Sequence, residues 1–120
     1  MRYGFVKTAA AAPKVKVADT RHNAQEIISL MKEMWNQGAR IIVFPELCIT
    51  GYTCGDLFLQ ELLLTEAQEA LKQIVDASKG MDGLFFVGLP MEVKGKLYNV
   101  AAAFSYGELL GLVPKTHIPN

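Results

Sequence analysis

Two short apolar runs, Ile41-Ile42-Val43-Phe44 and Leu84-Phe85-Phe86-Val87, constrain the fold of this chain more than any other feature. Consecutive apolar residues rich in β-branched and aromatic side chains read as strands buried on both faces. The stretches around them follow a different period. Asn23 with Glu26 three residues on predicts a helix start, and Ala24, Ile27, Ile28, Met31, Met34 and Trp35 then share one helical face until Gly38 supplies the stop. A second helix is predicted between Asp56 and Lys79, with Leu63, Ala67, Ala70, Leu71, Ile74 and Val75 on its apolar face and Gly80 ending it. An opening strand is expected from Tyr3 to Ala12, ending at Pro13, and the Leu84 strand closes at Leu89-Pro90. From there the pattern is that of hairpins: a turn at Lys94-Gly95-Lys96, a strand from Leu97 to Phe104, a turn at Tyr106-Gly107-Glu108 and a strand from Leu109 to Val113. The order β-α-β-α-β followed by hairpin-connected strands predicts an α/β fold with helices packed on a mixed sheet.

With 120 residues the chain is long enough for one domain with its own core. Twelve basic and twelve acidic residues cancel, without runs of like charge, so neither nucleic acid nor a membrane surface is indicated as partner. No apolar stretch approaches the roughly 18 residues of a membrane span. The first residues resemble a signal peptide only superficially, because Lys7 interrupts the apolar stretch. Two cysteines, Cys48 and Cys54, without export features indicate free thiols in a reducing cytoplasm. Hydrophobic residues make up 51 % of the chain, which leaves apolar surface to be covered by something else.

Candidate chemistry lies where the strands end. Glu46 follows the run Ile41-Ile42-Val43-Phe44-Pro45, at the carboxyl end of a strand, where ligands gather in open α/β sheets. Its neighbours Phe44, Pro45, Leu47 and Ile49 are mostly apolar, a setting that raises a carboxyl pKa and suits a general base near neutrality. Lys115 stands in a similar setting after Leu112-Val113-Pro114, and as a cation it would stabilise a developing oxyanion. The competing readings are a solvated loop glutamate and a surface lysine. Acyl transfer also needs a nucleophile. Cys48 lies only two residues from Glu46 and Cys54 has no basic helper nearby, so both read as small hydrophobic residues instead. His22 and His117 lack zinc-like spacing, and the glycines form no phosphate-binding loop. Trp35, Met31 and Met34 belong to the helical stripe and read as core.

The segment Phe44-Pro45-Glu46-Leu47-Cys48-Ile49-Thr50-Gly51-Tyr52 resembles the general-base segment of the nitrilase (carbon-nitrogen hydrolase) superfamily, and Gly111-Leu112-Val113-Pro114-Lys115 resembles its catalytic-lysine segment. The continuation Thr53-Cys54-Gly55-Asp56-Leu57-Phe58, the opening Tyr3-Gly4-Phe5-Val6 with Ala10 to Asp19, and Tyr98-Asn99-Val100-Ala101 are similar to the amino-terminal glutaminase domains of bacterial glutamine-dependent NAD synthetases. The resemblance covers essentially the whole chain but less than half of such a domain. It implies an αββα sandwich, of which residues 1–120 would be the amino-terminal portion, with the synthetase domain absent. It also implies a Glu-Lys-Cys triad that hydrolyses glutamine, with Glu46 as general base, Lys115 stabilising the tetrahedral intermediate and Tyr52 near the glutamine pocket. The family cysteine follows the lysine, beyond Asn120, so neither Cys48 nor Cys54 inherits its role. No cofactor is implied for this chain; ATP, magnesium and deamido-NAD would belong to the synthetase domain, and the full-length protein would be a homo-oligomer. A stand-alone nitrilase-type amidase and a non-catalytic interaction subunit of the same fold are the alternatives. Because the chain stops at Ile118-Pro119-Asn120 without a finishing element, the expectation is a fold cut through, inactive alone and prone to associate.

Overall fold

The connection between parallel strands decides this architecture. A computed structural model describes residues 7–16, 19–45, 48–50 and 61–118. Strand β1 (Thr8–Ala10) leads into helix α1 (Thr20–Asn36), strand β2 (Ile41–Val43), helix α2 (Glu61–Ala77) and strand β3 (Leu84–Val93). Strands β4 (Lys96–Ser105) and β5 (Glu108–Ile118) complete a sheet of order β1-β2-β3-β4-β5. The first three strands are mutually parallel and the last two antiparallel. Two consecutive crossovers of the same hand, stepping in the same direction along the sheet, place both helices on one face. Accordingly, Ala24, Ile27 and Met31 of α1 and Ala67, Leu71 and Ile74 of α2 join Ile42, Phe85, Val87 and Phe104 of the sheet in one buried cluster. The Phe85 and Phe104 rings tilt against each other at 5.5 Å between centroids, next to each other across the β3–β4 ladder.

The two hairpins repeat one piece of backbone chemistry. Lys94 and Gly95 have φ of 51° and 78°, Tyr106 and Gly107 have 52° and 78°, so each two-residue loop has both central residues left-handed. That is the turn whose twist matches paired strands, and glycine at its second position removes the steric cost.

Several elements differ from the sequence expectation. Helix α1 begins at Thr20 rather than Asn23: Asp19 is the N-cap and accepts a hydrogen bond from the His22 backbone N–H at 3.1 Å. Asn23 is instead fully buried inside the helix, because its carboxamide is committed to tertiary contacts described below. The opening strand comprises Thr8–Ala10, and the part of the expected span before Lys7 lies outside the described residues. Strand β3 continues through Leu89 and Pro90 to Val93. A proline is accepted there because pairing with β2 stops at Phe86, so the later residues of β3 ladder with β4 alone. Strand β5 runs on past Pro114 and Lys115 to Ile118, which places Lys115 within a strand and not behind one.

The apolar runs are also not buried on both faces. Ile42 is fully buried under the helices, whereas Val43, on the opposite side, is 44 % exposed and Val113 54 % exposed. The register sets Val43, Phe86, Ala103 and Gly111 in one cross-strand row and Gly88, Ala101 and Val113 in the next, so among the described residues this apolar face carries no helix and is exposed at Val43 and Val113. Sedimentation velocity of the 120-residue chain is expected to show self-association, reduced by Val113→Lys on that face; a monodisperse monomer for the unmodified chain would contradict this.

At the far end of the sheet, Arg40 ties helix to strands. Its guanidinium donates to the Trp35 carbonyl at 2.8 Å, pairs with Asp82 at 3.2 Å and lies 4.3 Å from the Trp35 ring centroid. The Arg40 carbonyl accepts from the Leu84 N–H at 2.8 Å, starting the β2–β3 pairing. A Cβ on Gly83 would sit 2.6 Å from that same oxygen, and the Gly83 φ of +133° is unfavourable for any side chain. Gly83→Ala is therefore expected to destabilise the fold by about 2–4 kcal/mol, read as a lowered denaturant midpoint; an unchanged midpoint would show that the strand start can shift freely.

Candidate functional site

Parallel strands β1, β2 and β3 all end at the same edge of the sheet, and there an open cavity of about 320 Å³ lies on the helix-free face. Val43, Phe44 and Pro45 contribute from the end of β2, Phe86 and Gly88 from β3, Asn99 and Ala101 from β4, and Lys115 from β5. Its position beyond a strand's carboxyl end is that expected of a ligand site in an α/β sheet. Apart from Lys115 and Asn99, the side chains lining it are apolar. A cation at the wall of such a cavity is placed to meet charge that develops on a bound molecule.

Lys115 reaches this cavity through an irregularity in the β4–β5 ladder. Asn99 pairs with Thr116 and Val100 pairs with Pro114, so Lys115 is the residue left without a partner, the extra residue of a β-bulge. From Val113, which shares a row with Ala101 and Gly88, strict alternation returns Lys115 to the helix-free face. Beyond the bulge, Thr116 is the register partner of Asn99. Lys115 is exposed, as one wall of an open site would be.

The chain before and after Glu46 is anchored to the same strand. Before it, the Phe44 N–H donates to the Phe86 carbonyl at 3.0 Å, extending the parallel pairing. After it, the Ile49 N–H donates to the Gly88 carbonyl at 3.2 Å. Asn23 adds a clamp. Its Nδ2 donates to the Ile49 carbonyl at 2.8 Å and to the Lys16 carbonyl at 2.8 Å, while its Oδ1 accepts from the Lys16 N–H at 2.7 Å. One buried carboxamide thus joins the loop after β1 to the turn at residues 48–50. Sequence reasoning missed this role, since an asparagine near a helix start is read first as a cap.

Glu46, Tyr52 and Cys54 lie outside the described residues, so the expected approach of Glu46 to Lys115 is not measured; Pro45, directly before Glu46, shares the cavity with Lys115. Cys48 is buried at 3 % exposure, and its thiol donates to the Gly88 carbonyl at 3.7 Å. Burial pushes the Cys48 thiol up to about 11, only partly offset by the hydrogen bond to Gly88, so it is a neutral core group at physiological pH. Among the described residues no three His, Cys, Asp or Glu side chains converge on a common point, and no helix is long and apolar enough to cross a membrane.

A thiol with a raised pKa in the fold stabilises the fold fully below its ordinary value of 9.0 and loses that contribution as pH rises through about 11. Cys48 is therefore expected to resist alkylation by iodoacetamide at pH 8 until the chain is unfolded, and folding stability is expected to fall between pH 9 and 11 less steeply in Cys48→Ala than in the unmodified chain. Peptide mapping of alkylated protein and denaturant melts across that window check both; rapid native-state labelling of Cys48 would overturn the assignment.

The helix-backed mixed sheet, with a strand-end cavity and a lysine on a bulged strand, is an α/β sandwich of nitrilase-like topology. The chain belongs to the carbon-nitrogen hydrolase family, whose model matches residues 7–120. Over 119 residues it is 33 % identical to a glutamine-dependent NAD(+) synthetase of Mycobacterium tuberculosis, and over 104 residues 36 % identical to that of Aquifex aeolicus. These alignments cover 99 % and 87 % of this chain but 18 % of each relative, so the chain spans about a fifth of the length of the curated relatives it matches. A glutamine-dependent NAD(+) synthetase from Cytophaga hutchinsonii superposes with a TM-score of 0.87 at 31 % identity, covering 96 % of this chain and 20 % of that one. An amidase from Nesterenkonia shares the fold at a TM-score of 0.78 and 21 % identity, over all of this chain and 46 % of its own.

Proposed function

We propose that this chain is the amino-terminal part of a glutaminase domain that feeds ammonia to a synthetase for the ATP-dependent amidation of deamido-NAD. Similarity above 30 % to glutamine-dependent NAD(+) synthetases along nearly the whole chain carries this reading, and the cavity that holds Lys115 supports it. The Nesterenkonia amidase likeness bears on fold alone.

In this reading the nucleophile is a cysteine contributed by polypeptide beyond Asn120, since Cys48 is a neutral core thiol. Glu46 takes the thiol proton, and the thiolate attacks the side-chain amide carbon of glutamine. The carbonyl electron pair moves onto oxygen, where the Lys115 ammonium offsets the new charge. The carbon–nitrogen bond then breaks, ammonia leaves with the proton returned by Glu46, and a thioester remains. Water deprotonated by Glu46 attacks the thioester and releases glutamate and the thiol. Tyr52 contributes to the glutamine pocket by the same family correspondence. ATP, magnesium and deamido-NAD belong to the synthetase part; this chain has neither a phosphate-binding glycine loop nor, among its described residues, a cluster of metal-ligating side chains. A cytoplasmic, homo-oligomeric enzyme accords with that role.

The test compares two proteins. The isolated 120-residue chain incubated with glutamine is expected to release no ammonia, whereas the polypeptide continued to its synthetase domain should do so. In that longer protein Lys115→Ala is expected to lower kcat about 10²–10³-fold, the usual loss of an oxyanion-stabilising group, and Glu46→Gln at least as much. Ammonia release by the isolated chain that disappears in Cys48→Ala or Cys54→Ala would instead place the nucleophile within these residues.

A further inference from the structure

One residue lining the cavity carries a polar atom with no hydrogen-bond partner among the described residues. Asn99 is 3 % exposed, and its Oδ1 is fully buried without a hydrogen-bond partner among the described residues. A buried carboxamide oxygen normally accepts a hydrogen bond, and leaving one empty is costly. Asn99 lines the same cavity as Lys115 and pairs with Thr116 at the step of the ladder where Lys115 bulges out. An acceptor without a donor thus stands beside a residue that carries three donors and no acceptor. The other described residues that line the cavity from the end of β2 and from β3 and β4 have no side chain that can donate a hydrogen bond.

We propose that Asn99 is a positioning residue for Lys115: in the complete site its Oδ1 accepts one hydrogen from the Lys115 ammonium and turns the remaining donors toward the substrate oxygen. This rests on the glutaminase reading above. The bulge supplies the reason for such a partner, because a residue unpaired in the ladder on an edge strand needs a further contact to fix its long side chain.

Such a role separates function from folding. In the isolated chain, Asn99→Leu removes an unsatisfied acceptor of similar size and is expected to leave the melting temperature unchanged or raised. In the polypeptide continued through its synthetase domain, the same change is expected to lower kcat for glutamine hydrolysis about 10–100-fold, with KM altered less than about threefold. Asn99→Asp, which keeps an acceptor oxygen at the same reach, is expected to retain more of kcat than Asn99→Leu. Adding Asn99→Leu to Lys115→Ala should cost little beyond Lys115→Ala alone, since a positioning residue acts only through its partner. A normal kcat in Asn99→Leu, losses that multiply independently, a change confined to KM, or a large drop in melting temperature would each overturn the assignment while the glutaminase reading stands. An unaffected Lys115→Ala enzyme would instead overturn that underlying reading, and this inference with it.

Discussion

Both helices pack on the same face of the sheet, and most other features follow from that one-sided packing. Crossovers of one hand running in a constant direction from β1 to β2 to β3 leave no freedom in the choice of side. Ile42, Phe85, Val87 and Phe104 are buried beneath α1 and α2, while Val43, Phe86, Ala101 and Val113 look the other way. The residues of a single apolar run therefore meet opposite fates by alternation alone, Ile42 dry and Val43 open. The cavity with Lys115 and Asn99 lies on the helix-free side, so the exposed apolar residues Val43 and Val113 share a face with the candidate chemistry.

The antiparallel half of the sheet performs a different task. Two type I′ loops at Lys94-Gly95 and Tyr106-Gly107 make β4 and β5 return in tight register, and that register gives the β-bulge at Lys115 its meaning. Without the extra residue, Lys115 would be one more alternating position in a ladder. With it, Lys115 lines the same cavity as Asn99, next to the end of β2. The parallel half meanwhile anchors the chain around Glu46, through Phe44 and Ile49 on β3 and through the Asn23 carboxamide. A rigid scaffold thus holds the ends of a segment whose sequence resembles the general-base segment of the family, which is how precise sites are usually supported.

Much of this was legible in residue order. Apolar runs at Ile41 and Leu84, helical periodicity from Ala24 to Trp35 and from Leu63 to Val75, and the XG turns specify the elements, because each is a local pattern with a local physical cause. The segments around Glu46 and Lys115 likewise name the family. Boundaries were less legible where tertiary pairing overrides local preference. Asn23 resembles a cap but is a buried clamp, since Asp19 caps first. Pro90 resembles a strand end but lies within β3, because its neighbour on that side has already stopped.

What the sequence alone determined, then, is the order of elements, the class of fold and the motifs that identify a carbon-nitrogen hydrolase. Periodicity and turn chemistry act between residues close in the chain, so they survive in one dimension. Only the tertiary structure decided which face of the sheet the helices cover, that Lys115 stands at a bulge inside β5, that Cys48 is a neutral core thiol, and that Asn99, which lines the cavity with Lys115, keeps a buried oxygen without a partner among the described residues. Each of those depends on cross-strand register and on burial by residues distant in sequence, and neither quantity exists until the chain has folded.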